Sequence, residues 1–215
     1  MKNNILNKKE KTKKWNLFLN KLNYISDSLG MPIDEKIKEL VVAMNLFGLR
    51  TEGSCQGHPN KRLLFPYIYC KISGEPKYQY RREKQIKKKL MQKYHIKNNK
   101  MLHSDSDSSN KFWDEYVKII FKLKYLNKYV KWAKKNEPLG KKIFALINEF
   151  NKKKTLSKNN KLRLIRIYPG YRIVSSVDTD TKKISNEAKK NLIILSQKTF
   201  GDFTKFLKNK YFKSA

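Results

Sequence analysis

The chain has 215 residues, 39% of them hydrophobic and 12% aromatic, enough for one large domain with a real core. Lys and Arg number 50 and Asp and Glu 18, a formal net charge of +32. That balance argues against a small neutral or acidic molecule as sole partner. It favours polyphosphate, RNA ahead of DNA, held by an attraction that falls steeply with salt.

Lys greatly outnumbers Arg, and Asn and Ile are frequent, the usage that AT-rich codons produce. Part of the charge is therefore compositional, and the few Arg residues are the more informative ones, since the guanidinium fork suits phosphate and base edges. Two cysteines, Cys55 and Cys70, make a disulfide framework implausible and fit a reducing cytoplasm. No apolar h-region opens the chain, and no apolar run approaches the ~20 residues that span a bilayer. A cytoplasmic location without a membrane span is the expectation.

Residues 1–14 are polar and basic and are expected to form a flexible tail. A single α+β domain over 15–215 is expected to follow, with a basic insertion at about 74–109. Trp15, Leu17, Phe18, Leu22 and Ile25 predict a short helix. Pro32 then opens a stronger one over 33–47, where Ile33, Ile37, Leu40, Val41 and Met44 repeat on one face and Gly48 is suited to the C-cap. Short strands are predicted over 49–54 and 66–72, the second with Ile68, Cys70 and Ile72 on its apolar face. Within the insertion, Arg81-Arg82 and Lys87-Lys88-Lys89 flank apolar residues of an amphipathic helix. The acidic serine run 104–109 follows, with Ser109 or Asn110 capping the next helix. Helices over 110–136 and 139–152 are separated at Pro138. A hairpin over 161–177 turns at Pro169-Gly170, and a last helix covers 183–211, with Asp178 to Asp180 placed to cap it. The spacing of Trp113, Trp132, Phe144 and Phe150 assigns them to helix packing. The sum is an α+β fold, a small antiparallel or mixed sheet backed by helices with a helical lobe.

Chemistry concentrates in Thr51-Glu52-Gly53-Ser54-Cys55-Gln56-Gly57-His58-Pro59. A turn needs Gly or Pro but has no need of Cys and His three positions apart. Cys-x-x-His is half a zinc site. Cys70 lies on an apolar strand face and His95 and His103 in a basic segment, so no metal is assigned. Cys55 and His58 are candidate catalytic residues, a thiol with its base, although no acid to orient His58 is identifiable. Alternatively Ser54, Cys55 and Gly57 present N–H groups and small side chains to a phosphate or cofactor, or the pair merely shapes a loop. Arg81, Arg82, Arg163, Arg166, Tyr171 and Arg172 are candidate nucleic-acid contacts, with solvated faces as the plain alternative. The pattern assigns no substrate, cofactor or oligomeric state.

Gly30-Met31-Pro32-Ile33-Asp34, Leu46-Phe47-Gly48, Ser54-Cys55-Gln56-Gly57-His58 and Pro66-Tyr67-Ile68 resemble an uncharacterised bacterial Ser-Cys-x-Gly-His motif family, a resemblance that carries no activity. Over about forty residues the chain is also distantly similar to the methyltransferases of wybutosine synthesis in tRNA. Their Asp-led helix, strand and Ser-Ser-Cys-x-Gly-Arg turn match Asp34, Thr51, Ser54, Cys55 and Gly57, with His58 in place of Arg and Gly53 in place of Ser. That resemblance implies a ligand pocket at Asp34, Thr51, Ser54 and Gly57 linked to RNA, without a recognisable S-adenosylmethionine segment. The expected function is a basic RNA-binding protein, with tRNA as a possible target, whose Cys/His turn is a ligand or modification site. The alternatives are a non-enzymatic nucleic-acid or ribosome binding module with a structural turn, and a cysteine-dependent hydrolase.

Overall fold

Helix α2 (Glu35–Leu46) forms where the apolar repeat is strongest, and it buries a wide face: Leu40, Val42, Ala43 and Met44 are fully inaccessible. Each large side chain so buried contributes about 1.5–3 kcal/mol. Gly48, at φ 72, lets the chain leave the helix with its N–H on Asn45 O. The computed structural model describes residues 7–26, 31–58, 65–75, 83–103, 106–122, 127–153, 161–167, 169–177 and 185–213.

The element order is α1 (Lys8–Leu22), α2, β1 (Thr51–Cys55), β2 (Tyr67–Cys70), α3 (Glu83–Lys93), α4 (Asn99–Leu102), α5 (Asp107–Lys122), α6 (Asn127–Lys134), α7 (Glu137–Lys153), β3 (Leu162–Ile167), β4 (Gly170–Ser175) and α8 (Asn186–Lys213). No helix among the described residues is long and apolar enough to cross a membrane. The chain divides into two compact units, residues 1–73 with 135–215, and residues 74–134. The inserted segment thus runs to Lys134, past the expected end near 109, because α5 packs on α3 and α4 in a core of their own.

The expected tail is helical from Lys8. Asn7 and Glu10 form a reciprocal capping box, which satisfies two N-terminal N–H groups and starts α1 a full turn and more ahead of the first apolar residue. Lys11 is buried against α8, its Nζ donating to Tyr211 O at 2.9 Å, a cation on the carbonyl end of a helix. Pro138 sits in the first turn of α7, where its missing N–H costs nothing.

In the first unit the strands lie in the order β1-β2-β4-β3, all antiparallel. Register puts Ser54, Ile68, Ile173 and Leu164 in one row and Cys55, Tyr67, Val174 and Arg163 in the next, so successive rows face opposite ways. The face with Ile68, Cys70, Leu162 and Ile173 joins α1, α2, α7 and α8 in the main core. Asn151 of α7 closes the start of the edge strand, donating to Leu162 O at 3.0 Å and accepting Leu162 N–H at 3.1 Å. Ser185 accepts the Ala188 N–H and so caps α8; residues 178–180, the expected cap, lie outside the described residues.

The second unit has its own core of Leu90, Ile96, Leu102 and Phe112. Ser106, rather than Ser109 or Asn110, caps α5 by accepting the Ser109 N–H at 3.2 Å; Ser104 and Asp105 lie outside the described residues. Ser109 Oγ and Trp113 Nε1 both donate to Leu102 O. Of the four aromatics assigned to packing, Phe150 and Trp132 are buried and Trp113 partly so, whereas Phe144 is 55% exposed on the outer side of α7.

Candidate functional site

Asp34 is the N-cap of α2, yet its side chain makes no capping bond. Its carboxylate turns instead to the chain leaving β1. Oδ2 accepts the Gln56 N–H at 2.9 Å and lies 3.3 Å from His58 Nε2. Gln56 takes over the capping role, accepting the Lys36 N–H at 3.3 Å on Oε1. Helix start and strand exit are thereby stitched in both directions.

Gln197 of α8 clamps the turn from the other side, its Nε2 donating to Gln56 O at 3.0 Å and Gly57 O at 3.4 Å. Gly57 is buried at φ 86, a backbone conformation that a side chain makes costly. This directs its N–H onto Cys55 Sγ at 3.3 Å. The ligand-capable atoms of Asp34, Cys55 and His58 all lie within 4.8 Å of one another, and all three residues are partly buried.

The acid that could not be identified from the sequence is Asp34, brought next to His58 from another element. The resemblance picked out Asp34, but as a ligand-binding residue. Of the other residues it implied, Gly57 reaches the site through its backbone. Thr51 does not, since its Oγ1 accepts Asn45 Nδ2 at 2.8 Å and ties β1 to α2. Ser54 lies in the row of Ile68, on the core side of the sheet. Cys70 is buried in the core, which pushes its thiol up to about 12, well removed from metal or nucleophilic chemistry. His95 and His103 belong to the second unit, where His103 packs on Trp113.

Sequence reasoning missed Tyr67 and the role of its neighbour. Tyr67 is the cross-strand partner of Cys55, and the Arg172 guanidinium stacks 4.6 Å above its ring. Burial raises the Tyr67 phenol above its ordinary 10.0, Cys55 and Asp34 raise it further, and Arg172 acts the other way. The fold thus favours the neutral phenol. Its contribution to stability is complete below the ordinary value and is lost as pH rises through the folded one. In alkaline absorbance titration, read as the difference from Tyr67→Phe, Arg172→Ala is expected to move Tyr67 higher and Cys55→Ala to move it lower. Unchanged midpoints in both would refute this coupling.

The expected nucleic-acid cluster is divided by the pleat. Arg163 and Arg172 stand on the sheet face of Cys55 and Tyr67, and Arg166 and Tyr171 on the other. Tyr171 packs against the main core, where Gly140 gives its ring room: a Cβ there would stand 2.3 Å from Tyr171 Cζ. Tyr171 is thus partly buried, with its ring engaged in packing on the core side. Arg163 and Arg166 are exposed. Arg172 Nε is buried without a hydrogen-bond partner among the described residues. Arg81 and Arg82 lie outside the described residues.

An acid, an imidazole and a thiol at this spacing can orient and activate a nucleophile, hold a polar ligand, or bind a cation. Comparison with family profiles, with characterised proteins and with solved structures finds no match to this chain.

Proposed function

We propose that the protein is a cytoplasmic RNA-binding protein, with tRNA the favoured class, and that the Asp34–Cys55–His58 turn binds or modifies one nucleotide. The observation that carries this reading is the convergence of Asp34, Cys55 and His58 beside the stacked Tyr67–Arg172 pair, in a chain of net charge +32. Lysines supply the long-range, salt-sensitive attraction. Arg172, whose guanidinium lies over the Tyr67 ring next to the turn, is the side chain suited to a phosphate oxygen. The similarity of the turn to that of tRNA methyltransferases points the same way.

The test is RNA retention at low and high salt, followed by sequencing of what stays bound. One RNA class is expected to survive the high-salt wash on the native chain and to be lost from Cys55→Ala/His58→Ala at an unchanged melting temperature. Arg163→Ala and Arg172→Ala are each expected to reduce the slope of log K against log salt by about 0.7, the effect of one phosphate contact on a single strand. Release of all RNA at the same salt by native chain and variant would refute the reading. A large fall in melting temperature in the double variant would reassign the turn to a structural role in a binding module.

Asp34 favours a second reading, a cysteine-dependent hydrolase, because it completes a thiol–imidazole–carboxylate trio. That reading requires rapid iodoacetamide labelling of Cys55 near neutral pH while Cys70 stays inert. Slow labelling of Cys55 in the folded protein counts against it.

A further inference from the structure

We infer that Asp34, Cys55 and His58 form a binding site for a divalent transition-metal ion of the Zn²⁺ class, with three protein ligands and a fourth position open. The inference rests on the reading of this turn as a ligand site and gives the ligand's chemistry.

The donors are one carboxylate oxygen, one thiolate sulfur and one imidazole nitrogen, drawn from the N-cap of α2 and the exit of β1. The His58–Asp34 contact, long for a hydrogen bond, is also the spacing of two ligands on one ion. Here His58 Nε2 and Asp34 Oδ2 stand 3.3 Å apart. Two ligands each about 2.0 Å from a tetrahedral ion are separated by about 3.3 Å. All three donors fall within 4.8 Å, so small side-chain rotations bring the sulfur into the same shell.

Charge gives an independent argument. The chain carries 50 Lys and Arg, and acids elsewhere take them as partners: Glu39 pairs with Lys208, Glu52 with Arg50, Glu115 with Lys93 and Glu149 with Lys210. Asp34 is half-buried and has no Lys or Arg ion pair among the described residues; its partners are the Gln56 N–H and His58. A carboxylate and a thiolate with a neutral imidazole carry two negative charges, which a divalent cation balances. The supporting groups also suit a metal. The Gly57 N–H donates to the sulfur and the Gln56 N–H fixes the carboxylate, the outer contacts that orient ligands. Mixed sulfur, nitrogen and oxygen donors select a borderline ion such as Zn²⁺ over Mg²⁺ or Ca²⁺. A three-ligand shell leaves room for water or a substrate oxygen.

The experiment uses the full chain, stripped with chelator and titrated with Co²⁺ and then Zn²⁺, with circular dichroism on every variant. One Co²⁺ per chain is expected, with the visible bands of a tetrahedral site and a near-ultraviolet thiolate charge-transfer band, both bleached by Zn²⁺. Cys55→Ser is expected to remove the charge-transfer band and Asp34→Asn to weaken affinity by more than about tenfold. Cys70→Ser is expected to change neither. Where a variant unfolds, the native chain still decides: Zn²⁺ is expected to protect Cys55 from iodoacetamide, and equal labelling with and without Zn²⁺ overturns the site. Absence of tetrahedral bands in the folded native chain, or a charge-transfer band that survives Cys55→Ser, also overturns it. RNA retention measured on the same samples separates the two readings. Retention without a Co²⁺ spectrum removes the metal site alone, and a Co²⁺ spectrum without retention removes the RNA reading alone.

Discussion

Phe203→Ala is expected to destabilise the first unit by about 3–5 kcal/mol and to lower its melting temperature by roughly 10 °C. Phe203 of α8 is fully buried, with its ring 5.1 Å from Phe150 of α7 in an edge contact and 6.1 Å from Phe206 in a stacked one. Truncation removes the ring's transfer energy and leaves a cavity between two helices that are each fixed to the sheet or to α2, so little collapse can fill it. Phe203→Leu keeps part of the volume and is expected to lose less. The measurement is urea unfolding followed by the fluorescence of Trp15, the one tryptophan of the first unit, in a Trp113→Phe/Trp132→Phe background. A loss below about 1 kcal/mol, the ordinary cost of a substitution, would mean that α8 does not pack as described.

Gly170→Ala is expected to cost about 3 kcal/mol, at the upper end of overpacking effects. A Cβ at Gly170 would stand 2.2 Å from Cys70 O, 2.9 Å from the Tyr69 hydroxyl and 3.0 Å from Lys71 Cβ. A side-chain tip can swing away, but a backbone oxygen within a strand cannot move without parting β2 from β4. The adjacent pairs are Cys70 with Tyr171 and Tyr69 with Arg172. Separation here therefore also loosens Arg172 over Tyr67, and a weaker hold on RNA is expected to accompany the stability loss. Gly201→Ala is the matched control. It lies within α8 with nothing within 4 Å of the added methyl, and a gain of about 0.5–1 kcal/mol is expected. Equal behaviour of the two variants in thermal unfolding would sink the steric argument.

Elements with strong local signals were readable in the chain. The repeat from Ile37 to Met44, closed by Gly48, located α2, and Pro169-Gly170 located the β3–β4 hairpin. Alternation placed Ile68 and Cys70 inward correctly. The start of α1 was also written there, as Asn7 and Glu10, but the lysines between them mask a capping box as a polar tail. Other features were beyond local reading. Asp34 meets His58 only because α2 and β1 fold back on each other, which no local spacing encodes. The Arg163/Arg166 and Tyr171/Arg172 cluster was compact in sequence and split by the pleat, because residues separated by an odd number of positions face opposite ways. Tyr171 packs partly buried against the core because Gly140, on α7, leaves room for its ring. The boundary at Lys134 escaped because the serine run 104–109 reads as the end of the insertion, whereas α5 beyond it shares the core of α3 and α4.

The placement of residues 74–134 inside the first unit sets an order of assembly during synthesis. That segment holds all of its own core partners in continuous sequence, so it can fold as soon as it clears the ribosome. The first unit cannot. β2 waits for β4, and the buried face of α2 waits for α8, both translated after the whole insert. The face of α2 that packs on α8 is therefore completed only at the end of synthesis, an interval in which uncovered apolar surface favours aggregation.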